Sequence, residues 1–159
     1  MRPKPLTVAE VEYAAFKLAE KLMTWNETIP PFGSRFPNIL ESCLATPFGI
    51  FSGKDLYRGL IKKSGILFYL LIKNHPFQNG NKRIAVMSLL YFLYKNGKWI
   101  YVSNDRLYRF AKHVAKSRPQ KREVVLKDIE AFLGHNIKDY NGGPKGNRPD
   151  GGAIVDPRF

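Results

Sequence analysis

Residues His75–Arg83 read HPFQNGNKR, and this is the most informative stretch of the chain because it joins a candidate base, a glycine turn and two cations. Histidine titrates near neutral pH, so His75 is a candidate general base for activating a hydroxyl. Gly80 permits a turn that a side chain would hinder, and Lys82 through Gly97 is predicted to form a helix. Amides at a helix start favour an anion, and Arg83 adds a fork suited to phosphate oxygens. The stretch predicts phosphoryl or nucleotidyl transfer.

The segments on either side of this stretch predict two central helices. Asp55 to Lys73 reads as a long helix whose inward face carries Leu56, Leu60, Ile61, Leu67, Leu70 and Leu71. The helix after Gly80 is apolar nearly all round, as in the middle of a bundle. The predicted class is an all-α bundle, with the HPFQNGNKR loop between two central helices and at most a short β-hairpin.

Weaker patterns predict the remaining elements. Thr7 and Glu10 have the spacing of a capping box at a helix start. In chain order, the prediction is a helix from Thr7 to Thr24, a loop from Trp25 to Pro37, a short helix from Asn38 to Ala45 stopped by Pro47, an extended arm or hairpin from Thr46 to Gly53, a brief extended stretch from Trp99 to Val102, a helix from Asn104 to Lys116, and a helix from Lys121 to Leu133.

Length and composition predict one cytoplasmic domain. The 159 residues are 44% hydrophobic, which is enough to fill a single core across residues 1–139. Residues 140–159 are rich in Gly and Pro, and we expect a flexible tail without a core of its own. Cys43 is the single cysteine, so no intrachain disulfide can form and a reducing compartment is expected. The sequence shows neither a signal peptide nor a membrane span.

The charge favours an acidic partner. Lys and Arg total 26 against 13 Asp and Glu, for a formal net charge of +13. A basic series runs through Arg106, Arg109, Lys112, Lys116, Arg118, Lys121 and Arg122. A solvated helix face and a nucleic-acid surface both fit such a series, but no zinc-finger, single-strand-binding or arginine-rich-arm pattern accompanies it. We therefore expect a docking surface for an acidic protein and regard nucleic acid as unlikely.

The stretch HPFQNGNKR resembles the signature of the Fic and Doc superfamily, H-x-F-x-(D/E/N)-(G/A)-N-(G/K)-R. The resemblance extends over roughly Leu40 to Gly97. Fic adenylyltransferases usually carry glycine at the place of Lys82, whereas lysine is similar to the Doc (death on curing) toxins, in which the γ-phosphoryl group of ATP reaches the target. The resemblance implies a protein kinase, with elongation factor Tu as a target. Adenylyl transfer and a degenerate binding module are the alternatives.

The resemblance also implies site residues and cofactors. His75 would be the general base, and Gly80, Asn81, Lys82 and Arg83 would form the ATP phosphate site, with Lys82 and Arg83 acting in catalysis. Asn79 would be a magnesium ligand, although its amide supplies an oxygen without the charge of the usual carboxylate. Phe77 would anchor the loop in the core. Ile50 and Phe51 would contact the target in a flap that binds an extended segment.

Regulation is expected to come from a second chain. Many Fic enzymes carry an inhibitory helix marked (S/T)-x-x-x-E-(G/N), and no such match occurs in this sequence. In the toxin branch the inhibitor is an antitoxin that folds into a groove of the toxin. The resemblance therefore implies a protein substrate and a separate antitoxin as partners.

Overall fold

The computed structural model describes residues 2–18 and 30–140, and most of these residues are helical. The six α-helices of these two segments are α1 Val8–Glu12, α2 Pro37–Ala45, α3 Gly59–Lys73, α4 Asn81–Lys95, α5 Asn104–Lys116 and α6 Arg122–Asn136. A π-helical segment, Tyr13–Leu18, continues α1, and single 3-10 turns lie at Phe32–Ser34, Thr46–Phe48 and Pro119–Lys121. The predicted all-α class is confirmed.

Helices α3 and α4 pack against each other at the centre of the bundle. Helix α4 is buried on nearly every side, and Ile84, Leu89 and Phe92 are fully enclosed. Helix α6 covers α3, and α5 covers α4. An all-round apolar sequence suits such a central position because no face of the helix meets water. The helix predicted from Lys82 to Gly97 is confirmed. The loop of residues 75–80, here called the signature loop, lies between two central helices.

A short antiparallel hairpin, here called the flap, follows α2. It consists of β1 Ile50–Phe51 and β2 Lys54–Asp55, with Ile50 opposite Asp55. Its two-residue turn has positive φ at both positions, +48° at Ser52 and +74° at Gly53, and turns of this sense match the twist of the strands. The predicted hairpin is confirmed, but it lies at residues 50–55, and the predicted extended start is wrong because Thr46–Phe48 form a 3-10 turn.

A second antiparallel pair joins the residues after α4 to the residues after α6. β3 Lys98–Ile100 pairs with β4 Ile137–Asp139, and Trp99 lies opposite Lys138. The brief extended stretch predicted near Trp99 is confirmed. Its partner strand was not predicted.

The residues before α1 are fastened to the end of α4. Thr7 caps α1 in the predicted capping box with Glu10. Lys95 donates to both Glu10 carboxylate oxygens at 2.7 and 2.8 Å and to the Pro5 carbonyl at 2.8 Å. Burial raises the pKa of Glu10, but hydrogen bonds from Lys95 and from the Thr7 backbone lower it more, so the net pKa lies below its usual 4.5.

The predicted start of the long helix at Asp55 is wrong, because α3 begins at Gly59. Asp55 belongs to β2, and the Leu56 amide donates to the Gly49 carbonyl at 3.0 Å, so this segment is held in the hairpin. Leu56, predicted to face inward, is exposed. The helical spacing of Leu56 and Leu60 was therefore misleading.

The predicted end of the short helix at Ala45, before Pro47, is confirmed, and a 3-10 turn over Thr46–Phe48 follows it because proline is tolerated in the first positions of a helical turn. Two further predicted boundaries differ from the structure. Ser103, one residue before the predicted Asn104, caps α5 by accepting a hydrogen bond from the Arg106 amide at 3.2 Å. Helix α6 runs three residues beyond Leu133. The predicted helix end near Thr24, residues 25–29 of the predicted loop and residues 141–159 of the tail lie outside the described residues.

Candidate functional site

The signature loop connects the end of α3 to the start of α4. His75 follows the last turn of α3 and is solvent-exposed, with φ at +47°. This left-handed backbone conformation is uncommon for a non-glycine residue, and it is a form of strain often found at functional sites. Gly80 is the N-cap of α4, also left-handed at φ +69°, and it makes no side-chain cap. His75 and the first turn of α4 are thus the two ends of one tight loop.

Asn81 holds this loop closed. Its Oδ1 accepts a hydrogen bond from the Phe77 amide at 3.0 Å, and its Nδ2 donates to the Phe77 carbonyl at 2.7 Å. These two bonds fix which way the amide points, because the oxygen must face the N–H and the nitrogen must face the carbonyl. The same Nδ2 lies 3.4 Å from His75 Nδ1. The Asn81 side chain therefore acts on the loop and on the histidine ring. A phosphate contact by Asn81 stays a prediction.

Phe77 anchors the middle of the loop in the core, as predicted. Its ring is buried and lies 5.4 Å from the ring of Phe16 and 6.0 Å from that of Phe32. Aromatic rings at these distances pack favourably beyond the area that they bury. The loop therefore has an apolar anchor at Phe77, which is also the residue whose backbone Asn81 holds.

Neighbouring segments brace both sides of His75. The Phe36 amide donates to the Pro76 carbonyl at 2.9 Å. On the other side, Lys73 donates to the Ala115 and Ser117 carbonyls at 3.1 and 2.6 Å. A lysine ammonium is favourable at a helix C-terminus, because it meets carbonyls that lack helical partners. The loop is thereby tied to the end of α5.

Cys43 lies beneath the same loop. It is buried in α2, and the Asn74 side-chain amide lies 3.9 Å from its sulfur. Burial raises the pKa of the Cys43 thiol to about 11, and the Asn74 contact offsets this only in part. The thiol is therefore protonated at neutral pH.

The start of α4 places two cations beside the turn. Lys82 is half-buried and Arg83 is 6% exposed, each within the first turn of a 15-residue helix. A helix start with a glycine N-cap, followed by lysine and arginine, has the chemistry expected of a site for phosphate groups. The residues present therefore fit the phosphates of ATP. The structure brings together His75, Gly80, Asn81, Lys82 and Arg83, whose roles in binding and catalysis stay predictions.

The site offers little to a metal ion. Asn79 is exposed on the loop, where its amide oxygen is available as a ligand. Among residues 2–18 and 30–140, no group of three or more His, Cys, Asp or Glu side chains could hold a metal. The donor set fits Mg²⁺ only if ATP phosphates provide most of the oxygen ligands. The metal role of Asn79 stays a prediction.

The predicted target contacts lie on the flap. Ile50 and Phe51 are both exposed, and Phe51 is 71% exposed. The flap is fastened to α3 at Lys63, whereas His75 follows the end of that helix. Lys63 and Lys73 are ten residues apart, which is about 15 Å along a helix axis. An extended target segment of about five residues would span that distance.

The basic series lies on the outer side of α5 and on the link to α6. All of its members are exposed except Arg122, which is half-buried. Its middle members Lys116 and Arg118 lie next to Ala115 and Ser117, whose carbonyls accept hydrogen bonds from Lys73 at the end of α3. Arg109 is partly neutralised by Asp105 at 2.7 Å. The series therefore offers a cationic surface whose middle adjoins the end of α3, two residues before His75.

Two lysines were missed in the sequence. Lys63 is fully buried and forms an ion pair with Asp55, and Lys73 caps α5. A signal for Lys63 was present, because it lies three residues after Leu60 and four before Leu67, on the apolar stripe of α3. A lysine at a core position needs a partner. No comparable signal marked Lys73.

The sequence model of the Fic/DOC family matches residues 10–93, a little more than half of the chain. The match begins within α1, ends near the end of α4 and includes the whole HPFQNGNKR loop. Comparisons with curated proteins and with solved structures found no match. Within the described segments, none of the helices is long and apolar enough to cross a bilayer.

Proposed function

Because the chain belongs to the Fic/DOC family, we propose that it is a Doc-type protein kinase that transfers the γ-phosphoryl group of ATP to a Ser or Thr hydroxyl of a protein. The observation that carries the proposal is the closed loop, in which Asn81 bonds to Phe77 and also approaches His75. This closure sets a base beside a cationic helix start, which is the combination that phosphoryl transfer requires.

The geometry favours one nitrogen of His75 as the proton acceptor. The Asn81 amide presents an N–H to Nδ1, so the neutral tautomer with its lone pair on Nδ1 and its proton on Nε2 is preferred. At 3.4 Å this contact is long, whereas the bonds from Asn81 to Phe77 are short. A target hydroxyl can therefore replace the contact to Nδ1 without opening the loop.

The transfer step uses the groups around this nitrogen. The target oxygen forms a bond to the γ-phosphorus while the bond from that phosphorus to the β–γ bridging oxygen breaks, and ADP leaves. The hydroxyl proton passes to Nδ1 of His75. Lys82 and Arg83 hold the phosphate oxygens by charge-assisted hydrogen bonds, and Gly80 leaves room for the turn. Asn79 would provide an oxygen to Mg²⁺, which neutralises phosphate charge when bound.

Lys82 supports the kinase over adenylyl transfer. A lysine side chain at this place hinders a close backbone approach by the nucleotide and puts a cation beside the group transferred. The signature with glycine at this place is the one that resembles adenylyltransferases. We therefore expect Lys82→Gly to raise adenylyl transfer at the expense of phosphoryl transfer.

The proposed partners follow from the toxin branch. We propose elongation factor Tu as the target, with growth arrest as the outcome in the cytoplasm. An antitoxin on a separate chain would block the site, and an acidic segment of that antitoxin fits the basic series beside the loop, whose members Lys116 and Arg118 are exposed. Binding of a co-encoded acidic protein at moderate salt, lost on reversal of these two charges, would support this assignment.

The test uses ATP labelled separately on the α and γ phosphates, incubated with the protein and with elongation factor Tu or a cell lysate. Label from γ alone supports the kinase, and label from α alone overturns it in favour of adenylyl transfer. His75→Ala is the control and should lose transfer by roughly 10²- to 10⁴-fold. Failure of both labels to transfer, together with equal growth effects of wild type and His75→Ala, would support a binding module without turnover.

A further inference from the structure

A fully buried lysine lies beneath the base of the flap. Lys63 is in the second turn of α3 and has no exposed surface. Its Nζ donates to the Pro47 carbonyl at 3.0 Å and forms an ion pair with Asp55 Oδ2 at 3.1 Å. It also lies 4.8 Å above the ring centre of Phe48. One ammonium group thus joins α3, the 3-10 turn before the flap, and the last residue of the flap.

This burial is costly unless the charge has partners, so the partners define what the residue does. A leucine or methionine would fill the same stripe of α3 without any desolvation penalty. The three contacts of Lys63 lie in the segment that leads into and out of the flap, at Pro47, Phe48 and Asp55. The lysine therefore acts on the position of the hairpin more than on the packing of α3.

The flap depends on such an anchor because it is short. It has two residues in each strand, and an isolated two-stranded hairpin is marginal in water. Its outer faces carry the exposed side chains of Ile50 and Phe51, which contribute little burial. Arg2 also pairs with Asp55, but at 3.4 Å and with 60% of its side chain exposed, so it holds the strand weakly. Lys63 is the buried contact to Asp55.

We infer that Lys63 is a positioning residue that holds the flap, through Asp55 and Pro47, in the orientation that receives the protein target. Ile50 lies directly opposite Asp55, so a shift of Asp55 moves the strand that carries the predicted target contacts. The inference rests on the proposed function, because it assigns target docking to the flap. Lys73, at the end of α3 before the signature loop, is about 15 Å along the helix axis from Lys63, so we expect ATP binding at the start of α4 to be independent of this anchor.

The test compares Lys63→Met with Lys62→Met in the full chain. Methionine keeps most of the length of the side chain and removes its charge, and Lys62 is the exposed neighbour on the same helix. Hydrogen exchange of the amides of residues 49–57 should quicken roughly tenfold or more in Lys63→Met, as expected for the loss of a charged hydrogen bond. Lys62→Met should exchange like wild type.

Kinetics then separate positioning from general stability. In Lys63→Met the KM for the protein target should rise about tenfold, while kcat at saturating target and the KM for ATP stay within twofold or so. If exchange quickens evenly over the whole chain, or if the flap loosens without a change in the KM for the target, the inference is overturned. Hydrogen exchange does not depend on transfer activity. If the wild-type protein showed no transfer, this result would count against the proposed function, and the exchange data would still decide whether Lys63 anchors the flap.

A second variant tests the inference if Lys63→Met does not fold. Asp55→Asn removes the partner charge at a residue whose side chain is 28% exposed, which favours a folded protein. Like Lys63→Met, it should quicken the hydrogen exchange of residues 49–57 and raise the KM for the target. Unchanged flap exchange in folded Asp55→Asn would overturn the inference as well.

Discussion

Asn81→Ala should destabilise the protein and disable its site through two orphaned backbone groups. The variant leaves the Phe77 N–H and C=O without the partners that now lie at 3.0 and 2.7 Å. Phe77 is buried, so water reaches these groups only if the loop opens. Each unsatisfied buried group costs about 1–3 kcal/mol, and partial relaxation brings the expected loss to roughly 2–4 kcal/mol.

Thermal unfolding measures this loss. For a chain of this size 1 kcal/mol shifts Tm by about 2–4 °C, so Asn81→Ala should melt roughly 5–15 °C below wild type. Gln78→Ala is the matched control, because Gln78 is an exposed residue of the same loop, and it should stay within about 0.5 kcal/mol of wild type. Asn81→Asp keeps the acceptor for the Phe77 amide but loses the donor to the Phe77 carbonyl. Its Tm should therefore lie between those of Asn81→Ala and Gln78→Ala.

Two results would refute this reasoning. The first is a Tm for Asn81→Ala within about 1 °C of that for Gln78→Ala, since surface changes have effects of that size. The second is full transfer activity in a folded Asn81→Ala protein, because the loop would then position His75 without the amide. Loss of activity without loss of stability would instead assign Asn81 to direct phosphate binding.

Three further predictions use other parts of the structure. His75→Gly should be more stable than His75→Ala by about 1 kcal/mol in denaturant unfolding, since glycine alone tolerates a φ of +47° without strain, and equal stability would argue against strain at His75. Cys43 should react with a disulfide reagent at pH 8 only in denaturant. Because burial raises the pKa of Cys43 to about 11, its contribution to stability is fully present below pH 9 and is lost as the pH rises through 11. Glu10→Gln should lower Tm at pH 7, and the difference from wild type should shrink as the pH falls below 4.5, because the lowered pKa of Glu10 gives stability only while its carboxylate is charged.

The central helices and the start of α4 were predictable because their apolar pattern and Gly80 are local features of the sequence. Gly80 marks the start of α4, and the sequence after it is apolar nearly all round, which predicts a buried helix. The capping box at Thr7 was equally local and is present. Family resemblance then supplied the candidate site, because nine consecutive residues contain the candidate base, the turn and the cations.

The remaining parts depend on contacts between distant residues. Asp55 was assigned to a helix because Leu56 and Leu60 have helical spacing, but its pairing with Lys63 and its strand position opposite Ile50 are tertiary features. The pairing of Lys98 with Asp139 joins residues 41 positions apart, which no local pattern indicates. The side chain of Asn81 is similar, since the motif names the residue without saying that it bonds to Phe77.

The buried lysines change how the net charge bears on function. The net charge of +13 predicted an acidic partner. However, Lys63 and Lys73 each donate to backbone carbonyls of neighbouring elements, and Lys95 bonds to Glu10 and Pro5. These cations hold the flap, the end of α5 and the N-terminal segment, so they are not part of a docking surface. The electrostatic case for a partner therefore depends on the exposed residues of the basic series. Because exposed charges are screened within about 10 Å at 0.1 M salt, binding there should weaken as salt is raised, whereas the lysine anchors should not.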